Sequence, residues 1–206
     1  MTVAEAVSAL GSEVGATIGA ARVAGTERIA ERTAGLDAAR QAFDLAGATG
    51  LEVLGHEADG RARWPEGWTG SISHAGGVAV AAVTPTAERR GIGIDIEEVG
   101  ALDPTDAELV LDPSERAAVA AAADPAALAT LIWSAKEAAF KAWSNAGGGM
   151  AGIDPVEIHV EIDPASRLVS VHPSASLVLA YPAAVPMTGI FTTVDALSVL
   201  VVTDGR

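Results

Sequence analysis

The most informative stretch of the chain reads Trp133-Ser134-Ala135-Lys136-Glu137-Ala138-Ala139-Phe140-Lys141. It contains both lysines of the 206-residue sequence, whereas the other eleven of the 13 basic residues are arginines. A lysine is a compact, mobile ammonium group with three donors, which suits it to bind a phosphate, whereas arginine is a flat fork. A solvated helix would explain one isolated Lys–Glu pair. The concentration of both lysines in one segment favours a binding site.

The helical period places the charged and aromatic residues of this stretch on one arc. Relative to Lys136, Glu137 lies at about 100° and Lys141 at about 140°. Trp133 and Phe140 lie within the same arc, at about 60° and about 40°. Charged groups on the packing side of a helix need mutual pairing or a bound ion. Glu137 and Lys141 could form an i,i+4 pair worth a few tenths of a kcal/mol, but such a pair leaves Lys136 unexplained.

A second motif reads Gly91-Ile92-Gly93-Ile94-Asp95-Ile96-Glu97. Strand alternation turns the isoleucines toward a core and Gly93, Asp95 and Glu97 to the other face. The two carboxylates stand roughly 6.6 Å apart along the strand, near enough to share a cation, and oxygen ligands favour Mg²⁺ or Mn²⁺ over zinc. We expect Gly93 to let a ligand approach the backbone. The alternative is a half-buried strand whose polar face contacts water, which is the commoner meaning of D-x-E alone.

Periodicity and turn residues predict the remaining organisation. Helices are expected at residues 26–46, 113–123 and 125–143, with Thr26, Asp112 and Asp124 as caps and glycines 147–149 after the last helix. Strands are expected at 71–83, with a break at Gly76-Gly77, and at 91–99, and short antiparallel strands follow residue 153. The run 168–194 lacks charged residues, but its three prolines predict buried strands and turns instead of a membrane helix.

Composition limits the classes of partner. A length of 206 residues fits one domain or two small halves. The net charge of −14 argues against nucleic acid and anionic membranes as partners, and it requires that any phosphate ligand be held by concentrated cations or a bound metal. The sequence has no cysteine and shows no secretory signal, which leads us to expect a cytoplasmic protein.

Together with Ser71-Ile72-Ser73-His74, the two motifs resemble in order those of the 4′-phosphopantetheinyl transferases of the larger, surfactin-synthetase-activator type. The resemblance implies an α+β fold of two pseudo-symmetric halves, residues 1–99 and 100–206. Each half would carry a small, mostly antiparallel sheet and a long helix, and the site would lie at their interface. A chain of this type contains both halves of the site and can act as a monomer.

The resemblance also implies roles for individual residues. Asp95, Glu97 and Glu137 would hold Mg²⁺ (or Mn²⁺), and Glu137, or a water that it orients, would be the base. Lys136 and Lys141 would contact the phosphates and the pantetheine arm of coenzyme A.

A further group of residues is expected at the adenosine end of coenzyme A. His74 with Ser73, and Arg32, would lie near the adenosine 3′-phosphate, and Arg61 stands where the family usually has a lysine. The residues alone favour a structural role for His74, but the resemblance adds it to Glu137 and Lys141 as a catalytic residue. Glu115 matches a recurrent glutamate with a supporting role.

The implied activity is Mg²⁺-dependent transfer of the 4′-phosphopantetheine arm of coenzyme A to a serine of an apo acyl or peptidyl carrier protein. Adenosine 3′,5′-bisphosphate would be released, and the product would serve secondary metabolite biosynthesis. One alternative is a non-catalytic coenzyme A-binding regulatory or partner module on the same fold. Another is an unrelated Mg²⁺-dependent hydrolase of the pyrophosphate.

Overall fold

Six α-helices and eight strands make up the part of the chain that the computed structural model describes, residues 1–147 and 152–204. The helices are α1 (Val3–Val14), α2 (Arg28–Leu45), α3 (Pro104–Val110), α4 (Pro113–Ala121), α5 (Pro125–Gly147) and α6 (Ala175–Ala180). The strands are β1 (Thr17–Arg22), β2 (Trp68–Ala75), β3 (Val78–Pro85), β4 (Ile92–Glu98), β5 (Ile158–Asp163), β6 (Leu168–Pro173), β7 (Met187–Val194) and β8 (Leu197–Thr203).

The strands form two antiparallel sheets, ordered β1-β3-β2 and β4-β8-β7-β6-β5. The long helix α2 packs on the smaller sheet and the longer α5 on the larger one, which confirms the predicted α+β class. The division of the chain at residues 99 and 100 stays a prediction. Strand β4 precedes that point, yet it is hydrogen-bonded to β8, with Asp95 opposite Leu200.

Two of the three predicted helix caps are confirmed. The Asp112 carboxylate accepts hydrogen bonds from the backbone of Ser114 and Glu115, and Asp124 accepts one from the backbone N–H of Ala127 at 3.0 Å. The predicted cap at Thr26 is wrong, because α2 begins after Glu27, which makes no side-chain capping bond. Of the predicted terminal glycine cluster, residues 148 and 149 lie outside the described residues.

The two-glycine break after His74 forms a hairpin turn. Gly76 and Gly77 have φ values of +55° and +74°, which only glycine adopts without strain and which join β2 tightly to β3. The N-terminal α1 and β1 were not predicted as firm elements. For α1 the sequence did carry signals, because Thr2 and Glu5 form a capping box and Ala6, Val7 and Leu10 are buried at helical spacing. In the charge-free run 168–194, strands β6 and β7 agree with the prediction, but α6 between them was missed.

None of the helices within residues 1–147 and 152–204 combines the length and apolar character needed to cross a membrane.

Strand β4 lies at the centre of the molecule and is covered on both faces. Ile92, Ile94 and Ile96 are buried in a cluster that includes Val7 and Leu10 of α1. On the other face, a Cβ atom on Gly93 would lie 1.8 Å from the Ala138 carbonyl oxygen of α5. The expectation that Gly93 leaves room for a ligand is therefore wrong, because the glycine lets a helix backbone approach the strand.

Candidate active site

Three of the sequence motifs meet at one ion pair. The Lys141 ammonium group of α5 lies 2.5 Å from Asp95 Oδ1 on β4 and donates to Ser73 Oγ on β2 at 3.1 Å. Ser73 in turn donates to Asp95 Oδ1 at 2.8 Å. The Asp95 side chain is 3 % exposed and that of Lys141 is 25 % exposed. Lys141 therefore contacts a buried carboxylate while its own side chain stays partly exposed.

Two further carboxylates share the electrostatic environment of Asp95. Burial, and then the charge of Asp95, raises the pKa of Glu97 to about 7, although the ammonium group of Lys141 opposes the rise. Burial also raises the pKa of Glu137, again against the attraction of Lys141, and Asp95 adds to the rise. Asp95 Oδ2 is buried and has no hydrogen-bond partner among the described residues. The arrangement thus concentrates negative charge that a single lysine only partly balances.

The predicted metal ligands, Asp95, Glu97 and Glu137, lie near one another, but their carboxylate oxygens do not converge on one point. Within the described ranges, the group of carboxylate and imidazole ligand atoms that lies within 4.8 Å of one another is instead Asp112, Glu115 and His159. Burial opposes protonation of His159, but the hydrogen bond and charge of Asp112, with the charge of Glu115, raise its pKa. This second group lies beside Lys136, whose ammonium group lies 2.6 Å from Glu115 Oε2.

A cleft of about 1120 Å³ opens beside Lys141. Four basic side chains line it: Arg28, Arg32, Arg61 and Lys141. His74 also lines the cleft, with its Nδ1 atom 3.8 Å from Glu31 Oε1. The four cations outnumber the two carboxylates of the lining, Glu31 and Asp59, so in a chain with a net charge of −14 the cleft is a comparatively favourable place for an anion.

Two of the basic side chains are held by partners that the sequence did not reveal. The Arg32 guanidinium donates to His56 Nδ1 at 2.7 Å, and burial, followed by the charge of Arg32, lowers the pKa of His56. Arg61 donates to Asp59 at 2.7 Å and to the Ser144 carbonyl oxygen of α5 at 3.2 Å. His56 lies on a loop and follows no motif, so sequence reasoning gave no signal for it.

Lys136 is not at this cleft. It is 1 % exposed, and its three N–H donors are taken by Glu115 Oε2 at 2.6 Å and by the carbonyl oxygens of Val110 at 2.7 Å and Pro155 at 3.0 Å. This placement disagrees with the expectation that Lys136 contacts the phosphates of coenzyme A, and we leave it out of the proposed binding site. The placement of Glu115 is in keeping with the supporting role expected for it.

Comparison with known proteins gives two family matches on adjacent parts of the chain. The family described as the 4′-phosphopantetheinyl transferase superfamily matches residues 91–178. The family described as the 4′-phosphopantetheinyl transferase N-terminal domain matches residues 17–84. These matches contain the β2, β4 and α5 motifs, and they confirm the resemblance seen in the sequence.

Individual relatives are similar over part of their length. Enterobactin synthase component D of Salmonella typhi is 37% identical over 128 residues, which are 60% of this chain and 52% of that protein. The 4′-phosphopantetheinyl transferase Svp of Streptomyces mobaraensis is 37% identical over 105 residues, 50% of this chain and 43% of that protein. The chain thus spans about half the length of the curated relatives it matches.

Among solved structures, the holo-[acyl-carrier-protein] synthase (AcpS) from Neisseria meningitidis is 19% identical, with a TM-score of 0.45. The match covers 57% of this chain and 99% of that one.

Proposed function

Since the chain belongs to the 4′-phosphopantetheinyl transferase superfamily, we propose that it transfers the 4′-phosphopantetheine arm of coenzyme A to a serine of an apo acyl or peptidyl carrier protein. Adenosine 3′,5′-bisphosphate is the leaving group, and Mg²⁺ is the metal. The observation that carries the proposal is the position of Lys141, which lines the basic cleft and also lies 2.5 Å from the buried Asp95 carboxylate.

The residues around Asp95 are suited to a divalent cation. Asp95 Oδ2 is a buried carboxylate oxygen with no partner among the described residues, and the pKa of Glu97 is raised to about 7 by burial and by Asp95. A cation held by Asp95, Glu97 and Glu137 would give Asp95 Oδ2 a partner and would lower the pKa of Glu97. Oxygen-only ligands favour Mg²⁺ or Mn²⁺. When bound, such an ion supplies charge neutralisation for a pyrophosphate and its transition state.

The basic cleft supports coenzyme A as the substrate. We place the adenosine 3′-phosphate near Arg32 and His74, with Arg61 on the adjoining loop and Lys141 toward the pyrophosphate. Ser73, expected at the 3′-phosphate, lies instead beside Lys141. Their cationic donors suit phosphate oxygens. Because coenzyme A is an intracellular cofactor, the proposal implies a cytoplasmic protein, and we propose that it acts as a monomer.

The proposed reaction needs positioning, one proton transfer and charge stabilisation. The carrier serine oxygen forms a bond to the β-phosphorus of coenzyme A, and the bond from that phosphorus to the bridging oxygen breaks. Adenosine 3′,5′-bisphosphate leaves with that oxygen. Glu137 receives the serine proton directly or through a water, and its raised pKa favours this role. Lys141 stabilises charge on the phosphates from a fixed position.

Intact-protein mass spectrometry tests the proposal. A panel of apo acyl and peptidyl carrier proteins is incubated with the protein, coenzyme A and Mg²⁺. Each carrier that is a substrate should gain the mass of one phosphopantetheine arm. Coenzyme A binding without any gain of mass would identify a non-catalytic module instead. Nucleotide release without a carrier would identify a hydrolase.

Variants of the ion pair test the assigned roles. Asp95→Asn and Lys141→Met should each lower the transfer rate by about 100-fold or more, since each removes a charge that the site uses in the transition state. Glu98→Gln is the matched control, because Glu98 is an exposed carboxylate of the same strand, and it should transfer normally. Full activity in both Asp95→Asn and Lys141→Met would contradict the proposal.

A further inference from the structure

The two lysines of α5 point in different directions and have different surroundings. Lys136 directly precedes Glu137, but the two side chains leave the helix about 100° apart, and Lys141 lies about 140° from Lys136. Lys141 reaches Asp95 on β4, whereas Lys136 enters the space between α3, α4 and the turn at Pro155. One side of α5 thus carries Lys141 of the proposed site, and the roughly opposite side carries the buried Lys136.

Lys136 and Glu115 form a closed polar network. The ammonium group of Lys136 has three acceptors, and the Glu115 carboxylate is fully occupied as well. Glu115 Oε1 accepts the backbone N–H of Val160 on β5 at 2.8 Å, and Oε2 accepts that of Asp112 at 2.8 Å. The side chains of Lys136 and Glu115 are 1 % and 0 % exposed. Buried charges persist only when paired and fully hydrogen-bonded, and such a network has one defined geometry.

The face of α5 that packs on β4 consists of small residues, although Leu131, Ile132 and Trp143 are buried elsewhere on the helix. Four of its buried residues near the site are alanines: Ala135, Ala138, Ala139 and Ala142. On the strand side, Gly93 presents no side chain to α5. Large side chains that interdigitate define the rotation of a helix, but a face of small residues is smooth and tolerates sliding. The directional network of Lys136 therefore adds a rotational constraint next to Glu137, whereas the bond from Trp143 to Val185 acts nearer the end of the helix.

We propose that Lys136 is a positioning residue. Together with Glu115 it fixes the rotation of α5 and thereby the reach of Glu137 and Lys141 toward Asp95. The catalytic part of this inference rests on the proposed function. It assigns Lys136 no contact with coenzyme A, in contrast to the role that the sequence suggested.

Stability measurements test the network itself. Lys136→Met keeps the length of the side chain but leaves Glu115 as an unpaired buried charge, so we expect Tm to fall by roughly 10 °C. The double variant Lys136→Met/Glu115→Gln removes both charges and should recover at least half of that loss. Arg40→Met is the matched control, and it should change Tm much less because the Arg40–Asp37 ion pair that it breaks is about half exposed on both sides.

Functional measurements separate positioning from direct contact. At a temperature where all variants are folded, Lys136→Met should lower kcat about tenfold with KM for coenzyme A changed less than twofold, and the double variant should regain part of kcat. The inference would be overturned by a tenfold rise in KM with kcat retained and no rescue by Glu115→Gln. If Lys136→Met does not fold, Glu115→Gln takes its place in the same measurements.

A ligand-free readout keeps this inference separate from the proposed function. Lys136→Met and Asp95→Asn are combined, and Tm is measured for both single variants and the double. Distant sites without shared partners usually have additive effects, so a rotation of α5 predicts a clear departure from additivity. Additive effects would overturn the inference, whereas a wild-type protein that transfers nothing would overturn only the proposed function.

Discussion

Gly93→Ala should displace α5 and thereby weaken both the fold and the site. The added Cβ would lie 1.8 Å from the Ala138 carbonyl oxygen and 2.6 Å from its carbonyl carbon, whereas ordinary contact begins at 3.4 Å. The helix must therefore move by up to 1.6 Å, the difference between 3.4 and 1.8 Å. Because the obstacle is backbone, no side-chain rotation can relieve it. We expect a loss of about 3 kcal/mol, at the upper end for overpacked cores.

A loss of that size corresponds to a fall in Tm of roughly 6–12 °C for a protein of this length, which thermal denaturation followed by circular dichroism can measure. The same shift moves Lys141 and Glu137 away from Asp95, so phosphopantetheine transfer should fall by about 100-fold in the folded variant. Gly35→Ala is the matched control. Its Cβ would lie 2.8 Å from Cγ2 of Ile72, a side-chain atom instead of backbone, and alanine favours the helix, so a smaller loss is expected than for Gly93→Ala.

Adding Ala138→Gly should not restore the Tm of Gly93→Ala, because the obstacle is the backbone carbonyl oxygen of residue 138, which stays in place. A Tm within about 2 °C of the wild type, with transfer unchanged, would refute the view that a close β4–α5 approach sets the site.

Three further predictions concern stability and metal dependence. Asp112 raises the pKa of His159 although burial opposes it, so their pairing stabilises the fold below the unfolded value of 6.5 and is lost as pH rises through the folded pKa. His159→Gln should thus lose more stability in urea at about pH 6 than at about pH 9, and equal losses would contradict the pairing. Trp143→Phe removes the hydrogen bond from the Trp143 indole N–H to the Val185 carbonyl oxygen and should lower the free energy of unfolding in urea by about 2 kcal/mol. A change below about 0.5 kcal/mol would argue against a stabilising role for this hydrogen bond. Chelation with EDTA should abolish transfer while the circular dichroism spectrum stays the same, and transfer that persists would exclude the proposed metal.

The elements with strong local signals were predictable. Pro113 and Pro125, preceded by aspartate caps, predicted the starts of α4 and α5, and Gly76-Gly77 predicted the break between β2 and β3, although not that the two strands pair. Alternation in residues 91–99 correctly divided the isoleucines from Asp95, because a strand has a two-residue period. Four elements were not predicted as such: α1, β1, α3 and α6. Start signals were present for α1, in Thr2 with Glu5, and for α3, in Asp103 before Pro104, whereas the apolar runs of β1 and α6 fit several structures equally well.

The sequence by itself gave the candidates for the site: two lysines in one helix, a D-x-E strand and, through the family resemblance, Arg32 and Arg61. It could not determine their partners. Only the tertiary structure separated Lys141, which faces Asp95, from Lys136, which is buried against Glu115. The reason is that helical period fixes the angle between two side chains, whereas the elements packed around the helix decide what each side chain meets.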